Sequence, residues 1–322
     1  MRDIRMLLAF CCVLFSAVVS ADSIVTTVTA RQIQPWNGLV EITVGLTCES
    51  NDLAEVGCTF TATNSATLVA LPVSKVRQVG GDTGSDMSWT RRFIWDAADD
   101  LGEVKIDDVA LTVDAFLGTQ LWENGPYWAE CNVGASKPEE CGYYFWWGDT
   151  VGYKRNANND GWISVKDLTS FSFSGGNCPT YGKNNSLLQS EGYIDATGNL
   201  VAAHDAATVH LGAPWRMPTI AEIDALVSNC TTTWTTSNGV PGRLVTGKGA
   251  YSSKSIFLPA AGFGFDSYLN TLGSVGYYWS STPHSDYSSY ARDLDFYSGY
   301  FGREGNGRGY GYPVRPVRGF AK

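Results

Sequence analysis

The chain has 322 residues, of which 44% are hydrophobic, 17% charged and 13% aromatic. That is too apolar and too weakly charged for a disordered polypeptide, and long enough for one large core or two ordinary ones. A net charge of −9 without a basic run argues against nucleic acid as a partner, and only 3 His leave little room for imidazole acid–base chemistry or zinc.

At the N-terminus Arg2 and Arg5 precede an apolar run from Met6 to Val19, and Val19-Ser20-Ala21 offers a small-residue cleavage site. Residues 1–21 therefore read as a secretory signal peptide, the apolar run being shorter than the roughly 20 residues of a membrane span. No later run is long and apolar enough to cross a bilayer. The expected product is secreted or held at a bacterial cell surface or in the periplasm, with no membrane span after signal cleavage. Beyond the signal lie Cys48, Cys58, Cys131, Cys141, Cys178 and Cys230. An even set in an exported chain reads as disulfides. Proximity favours Cys48 with Cys58 and Cys131 with Cys141, which leaves Cys178 with Cys230; other pairings stay open.

Residues 22–116 read as an all-β sandwich. Val40, Ile42, Val44 and Leu46 alternate with polar or small residues. Trp89, Phe93 and Trp95 share one side of a second run, and Val109, Leu111 and Val113 one side of a third. Period-two patterning with turn-rich gaps is the signature of stacked antiparallel sheets. The acidic stretch Asp96 to Asp100 reads as a solvated corner between two strands.

From Leu121 onward glycine and aromatic residues become dense and two helices are expected. Asn199 to Leu211 is Ala-rich, with Gly212 placed as a stop. Thr219-Ile220-Ala221-Glu222 is a capping box, followed by the apolar stripe Ile220, Ile223, Leu226 and Val227. Short strands and loops follow from Gly239 to Arg318. Two helices among irregular strands predict an α+β domain over residues 120–320.

Several segments of this second region carry a family likeness. They are Tyr127-Trp128-Ala129-Glu130-Cys131-Asn132-Val133-Gly134-Ala135, Tyr143-Tyr144-Phe145-Trp146-Trp147-Gly148-Asp149 and Trp215-Arg216-Met217-Pro218-Thr219. Ser255-Ile256-Phe257-Leu258-Pro259-Ala260-Ala261-Gly262, Tyr278-Trp279-Ser280-Ser281-Thr282 and Val314-Arg315-Pro316-Val317-Arg318 complete the series. In this order they resemble the Fibrobacter succinogenes major paralogous domain. The resemblance implies a C-type-lectin-like fold, related to formylglycine-generating enzymes and to the C-terminal domains of collagen-like adhesins. It implies no defined activity. Formylglycine-generating enzymes rely on a cysteine pair near the C-terminal end, and residues 231–322 contain no Cys. The first region more loosely resembles immunoglobulin-like modules, through Arg31, Pro35-Trp36-Asn37-Gly38 and Trp95-Asp96.

The strongest functional signal is the segment from Phe265 to Tyr312, where Tyr, Ser and Gly fill 25 of 48 positions. Tyrosine offers rigid amphipathic contact area at small entropic cost, and Ser and Gly adapt around it. Trp279, Leu294, Phe296 and Arg315 are expected to complete the interior. The expected ligand-binding residues are Tyr287, Tyr290, Asp293, Asp295, Tyr297, Tyr300, Arg303, Arg308 and Tyr310, with Asp293, Asp295 and Tyr297 facing out opposite Leu294 and Phe296. The aromatic runs around Trp146 and Trp215 read as core.

Catalytic signatures are missing: there is no GxSxG, HExxH or GxxxxGK[ST] pattern. His284 beside Ser285 and Asp286 is the best acid–base cluster, and a weak one. No cofactor is expected, with calcium the one candidate: Asn156 to Asp167 imitates an EF-hand loop, with oxygen donors at positions 1, 3, 5, 9 and 12 and Gly161 at 6. The expected protein is an exported, non-catalytic binder of a glycan or a surface protein. The alternatives are an enzyme related to formylglycine-generating or carbohydrate-active proteins, and a self-associating structural envelope protein.

Overall fold

The computed structural model describes residues 25–33, 37–47, 56–65, 67–79, 83–85, 88–102 and 109–319. The expected signal peptide lies outside them. The chain divides between Leu117 and Gly118 into two compact units. Antiparallel strand dominates throughout. Among the described residues no helix is long and apolar enough to cross a membrane.

The first unit contains β1 (Val25–Gln32), β2 (Leu39–Thr47), β3 (Val56–Asn64), β4 (Ala70–Leu71), β5 (Val76–Gln78), β6 (Thr83–Ser85), β7 (Ser88–Asp96), α1 (Ala97–Leu101) and β8 (Val109–Leu117). One sheet runs β1-β2-β7-β5, with β6 also on β7; the other runs β4-β3-β8. The alternating residues of β2 are buried together with Phe60, Phe93, Trp95, Leu111 and Val113, so a single core takes side chains from both sheets. The acidic stretch after β7 is a turn of helix, not a solvated corner. Asp96 caps it by accepting from the Asp99 amide. Asp100 accepts from the Ser74 amide and hydroxyl, the Lys75 amide and Trp95 Nε1. Burial works against its charge, and these hydrogen bonds overcome it, holding the carboxyl below its ordinary value.

The second unit opens with β9 (Thr119–Gln120) and β10 (Tyr127–Trp128), then β11 (Tyr153–Arg155), β12 (Trp162–Ser164) and β13 (Ser170–Phe171). Three helices follow, α2 (Asn185–Ser190), α3 (Ala206–Leu211) and α4 (Ile220–Asn229). The remaining strands are β14 (Cys230–Ser237), β15 (Val240–Gly247), β16 (Ser255–Pro259), β17 (Phe263–Phe265), β18 (Tyr268–Asn270), β19 (Val275–Pro283), β20 (Tyr290–Tyr297), β21 (Tyr300–Gly307) and β22 (Val317–Arg318). They form small antiparallel sheets: β22-β10-β9, β11-β12-β13, β14-β15-β16, β17-β18 and β19-β20-β21. The last strand thus pairs with one of the first, Tyr127 opposite Arg318 and Trp128 opposite Val317.

The helices correct one expectation and meet another. Asn199 to Leu211 is not one helix: a 3-10 turn at Ala202–His204 ends at Asp205, and only Ala206–Leu211 is α-helical. The buried Asp205 carboxylate accepts from the Thr208 and Met217 amides, so it restarts the helix instead of lying within it. Gly212, at φ 78°, ends α3 as expected. In α4 the capping box forms, with Thr219 Oγ1 accepting from the Glu222 amide and Glu222 Oε2 from the Thr219 amide. Ile223 and Leu226 lie in the core beneath it.

Two of the expected disulfides are not formed among the described residues. Cys131, Cys141, Cys178 and Cys230 are unbonded thiols. Cys178 packs with Trp162 and Phe173 and donates to the Arg308 carbonyl, whereas Cys230 packs in another cluster with Leu226 and Val245. Cys141 meets the Tyr144 hydroxyl, and burial pushes the Cys131 thiol up to about 11. Cys48 lies outside the described residues, and with it the Cys48–Cys58 pairing.

Candidate functional site

The site is built on the meander β19-β20-β21, whose two faces have unlike chemistry. The turn between β20 and β21 is only Ser298-Gly299, which sets Tyr297 opposite Tyr300 and fixes every later pair. One face carries Tyr278, Leu294 and Phe296, which pack with Ile223 and Leu226 of α4. Gly276 is required there: a Cβ would lie 2.1 Å from Phe296 Cζ.

On the other face two acidic rows run across the strands. Tyr277, Asp295 and Gly302 form one, and Trp279, Asp293 and Glu304 the next. Beyond the first come Val275, Tyr297 and Tyr300. Tyr277 and Trp279 stack on Tyr312 at 4.9 and 4.1 Å, and Tyr310 stacks on Tyr312 at 6.2 Å. The face is therefore covered by aromatic rings over Trp279 and Asp293, whereas Tyr297 at one end and Glu304 on β21 are exposed. At that end Tyr297 and Tyr300 stack at 5.8 Å, with Tyr297 47% exposed. Arg243 on β15 holds this tip, its Nη2 donating to the carbonyls of Tyr297, Ser298 and Tyr300.

The carboxylates are poorly served. Asp293 is 0% exposed; its Oδ2 accepts from Asn306 Nδ2 at 2.9 Å, and its Oδ1 is buried without a partner. Burial above all, with Asp295 and Glu304 nearby, pushes its carboxyl well above the usual range. Asp295 Oδ1 is likewise buried and unpartnered, and burial followed by Glu304 lifts that carboxyl to about 6. Glu304 accepts from the Tyr300 hydroxyl at 2.7 Å, which raises the phenol to about 12. Among the described residues no Lys, Arg or His is ion-paired with any of the three.

The expected binding residues divide. Asp293, Asp295, Tyr297 and Tyr300 share this face, and Tyr310 joins its aromatic wall. Asp293 does not face out, a correction that follows from Trp279 and Tyr312 covering its end of the sheet. Tyr287 and Tyr290, 62% and 42% exposed, gather with His284 at the other end of β20. His284 Nδ1 accepts from the amides of Asp286 and Tyr287, so its ring is tied into that loop. Arg303 turns to the helix side and pairs with Asp224 of α4 at 3.1 Å. Arg308 is no surface donor. It is 0% exposed, lies over Trp147 and donates to the carbonyls of Tyr290, Thr180 and Lys183. Trp279, Leu294, Phe296 and Arg315 are interior, as expected. Tyr277, Gly302, Glu304 and Asn306 were not among the expected site residues. The short Ser298-Gly299 turn is the signal that could have found the last three, because it dictates the β20–β21 register.

The EF-hand-like segment is a β-hairpin. Arg155 pairs with Trp162 across it, Asn156 hydrogen-bonds Asp160, and Asp167 accepts from Thr169. The side-chain oxygens of Asn156, Asp160, Ser164 and Asp167 thus accept from close neighbours along the chain. Among the described residues no group of three or more His, Cys, Asp or Glu is placed to hold a metal ion. A comparison with known proteins finds no matching family, no matching curated protein and no matching solved structure.

Proposed function

We propose that this is an exported binding protein in which an immunoglobulin-like sandwich accompanies a C-type-lectin-like unit, and that the open end of the acidic face binds a glycan. The lectin-like reading rests on the sequence likeness to the Fibrobacter succinogenes major paralogous domain and is supported by the pairing of β22 with β10. The observation that carries the ligand class is the exposed Tyr297 ring, stacked on a half-buried Tyr300 and standing beside Asp295 on one sheet face. Flat aromatic surface takes the apolar face of a pyranose, and planar carboxylates beside it take hydroxyl protons. Screening the full chain on immobilised oligosaccharides tests this. Tyr297→Ala with Tyr300→Ala should abolish capture, while Tyr287→Ala with Tyr290→Ala should leave it intact; the reverse pattern refutes the assignment.

A second reading, a carbohydrate hydrolase, is favoured by one observation: Asp295, with its carboxyl lifted to about 6, is diagonal to Glu304 on the same face. An acid of raised pKa near a second carboxylate is the pairing glycoside cleavage uses. Turnover of a bound oligosaccharide, lost in Asp295→Asn, would establish it.

A further inference from the structure

We propose a second binding site, at the opposite end of β20 from Tyr297 and on the α4 side of the sheet, where Arg292 and His284 take a carboxylate presented by an Asp or Glu side chain of a protein partner. It stands apart from the glycan reading. The first sign is an arginine without a partner. Arg216 and Arg303 pair with carboxylates, and Arg155, Arg243, Arg308 and Arg315 donate to carbonyls. Arg318 lies over Trp215. The Arg292 guanidinium, half-buried in a chain of net charge −9, makes no hydrogen bond or ion pair among the described residues.

The second sign is a fixed donor beside it. Arg292 is opposite Gly305 on β21, and the His284 ring packs on that glycine. A Cβ there would lie 2.7 Å from His284 Cδ2, 3.4 Å from its Nε2 and 3.6 Å from Arg292 Nη1. The missing side chain thus brings imidazole and guanidinium together. His284 Nδ1 accepts from the amides of Asp286 and Tyr287, which puts the ring proton on Nε2. Burial first, and then Arg292, hold the imidazole below its ordinary value, so at neutral pH Nε2 is an uncharged donor. It has no acceptor among the described residues and is not closed off from solvent. A planar guanidinium beside one N–H donor is a carboxylate receptor: one oxygen takes the guanidinium edge and the other the imidazole.

Tyr287 and Tyr290, 62% and 42% exposed, flank His284. Their rings tilt by 49° to each other, and Tyr287 by 53° to His284, so they form no flat platform for a sugar ring. The loop Ser285-Asp286-Tyr287-Ser288-Ser289-Tyr290 has instead the composition of antibody contact loops, and tyrosine and arginine are the usual anchors on a protein surface. A phosphate dianion fits less well, with two donor groups to serve it and Asp286 close to His284. A single side-chain carboxylate between uncharged neighbours matches the charge on offer.

A nuclear magnetic resonance titration of the isotope-labelled full chain at neutral pH tests the proposal with four probes: acetyl-Ala-Glu-Ala-amide, its Gln counterpart, inorganic phosphate and glucuronate. The Glu peptide should shift the amides of residues 284–292 and 305 and bind at least about tenfold tighter than the Gln peptide. Arg292→Gln should bring the two peptides to equal affinity. Tyr287→Ala, a change at an exposed ring, should weaken the Glu peptide by about threefold or more and covers the case in which Arg292→Gln disturbs folding. Equal affinity of the two peptides for the wild-type chain, shifts elsewhere, no binding, or full affinity in Tyr287→Ala overturns the proposal. Phosphate or glucuronate binding more tightly than the Glu peptide also overturns it, in favour of a simple anion or an acidic sugar.

Discussion

The two faces of the β19–β21 sheet are made from the same strands, one residue apart, and obey different rules. The face toward α4 is filled by Tyr278, Leu294 and Phe296 and behaves as ordinary core. The opposite face carries Asp293, Asp295 and Glu304 among aromatic rings, with two buried carboxylate oxygens unpaired. Alternation explains the division, because neighbouring residues of a strand point to opposite sides. What differs is the chemistry each side presents. The first face is satisfied within the molecule; the second holds charge that folding alone would remove.

This contrast can be broken or sharpened by substitution. The largest effect belongs to the filled face. Phe296→Ala should destabilise the second unit by about 3–5 kcal/mol through the cavity left against α4, read by urea denaturation. An effect below about 1 kcal/mol would mean that this face is not core.

On the acidic face the sign should reverse. Asp295→Asn should stabilise the protein at neutral pH by about 1–2 kcal/mol, because its carboxyl, lifted to about 6, is costly to ionise there, with a discount for the water that reaches it. The wild-type chain should gain stability as pH falls from above 6 toward 4. In that window the folded Asp295 holds a proton that the unfolded chain has released, so the penalty is relieved by acid. Asp293 acts in the same direction. The advantage of Asp295→Asn should vanish at pH 4, and its persistence there would exclude a charge effect.

Binding should follow pH the other way. Asp293, Glu304 and the phenols of Tyr277, Tyr300 and Tyr312 are the titratable groups that act on or with Asp295. Affinity for a glycan whose hydroxyls donate to Asp295 should therefore fall as pH drops through about 6. Stability and affinity moving together would contradict the assignment. The smallest effect is expected at Arg303, whose exposed pair with Asp224 should contribute no more than about 1 kcal/mol when Arg303→Ala is measured by thermal unfolding.

Much of this arrangement is legible in the residues. Val40, Ile42, Val44 and Leu46 announce β2 by their alternation, and Thr219 with Glu222 announces α4. The same alternation places Asp293, Asp295 and Tyr297 on one side of β20. It cannot say whether that side is covered, because Trp279 and Tyr312 arrive from β19 and from the segment after β21. The burial of Arg308 is hidden for the same reason: the carbonyls of Thr180 and Lys183 that hold it are remote in sequence. Asp205 broke the expected Asn199–Leu211 helix because its carboxylate serves Met217, a partner that helix propensity ignores. Cys178 and Cys230 lie in different clusters, a separation that pairing by elimination along the chain does not reveal.

The most direct test of the central claim is a nuclear magnetic resonance titration of isotope-labelled full chain with the oligosaccharide that the immobilised-sugar screen selects. The account predicts amide shifts concentrated at residues 293–297 and 300–306. Shifts confined to residues 284–290 or to the first unit, with the acidic strands unmoved, would contradict it.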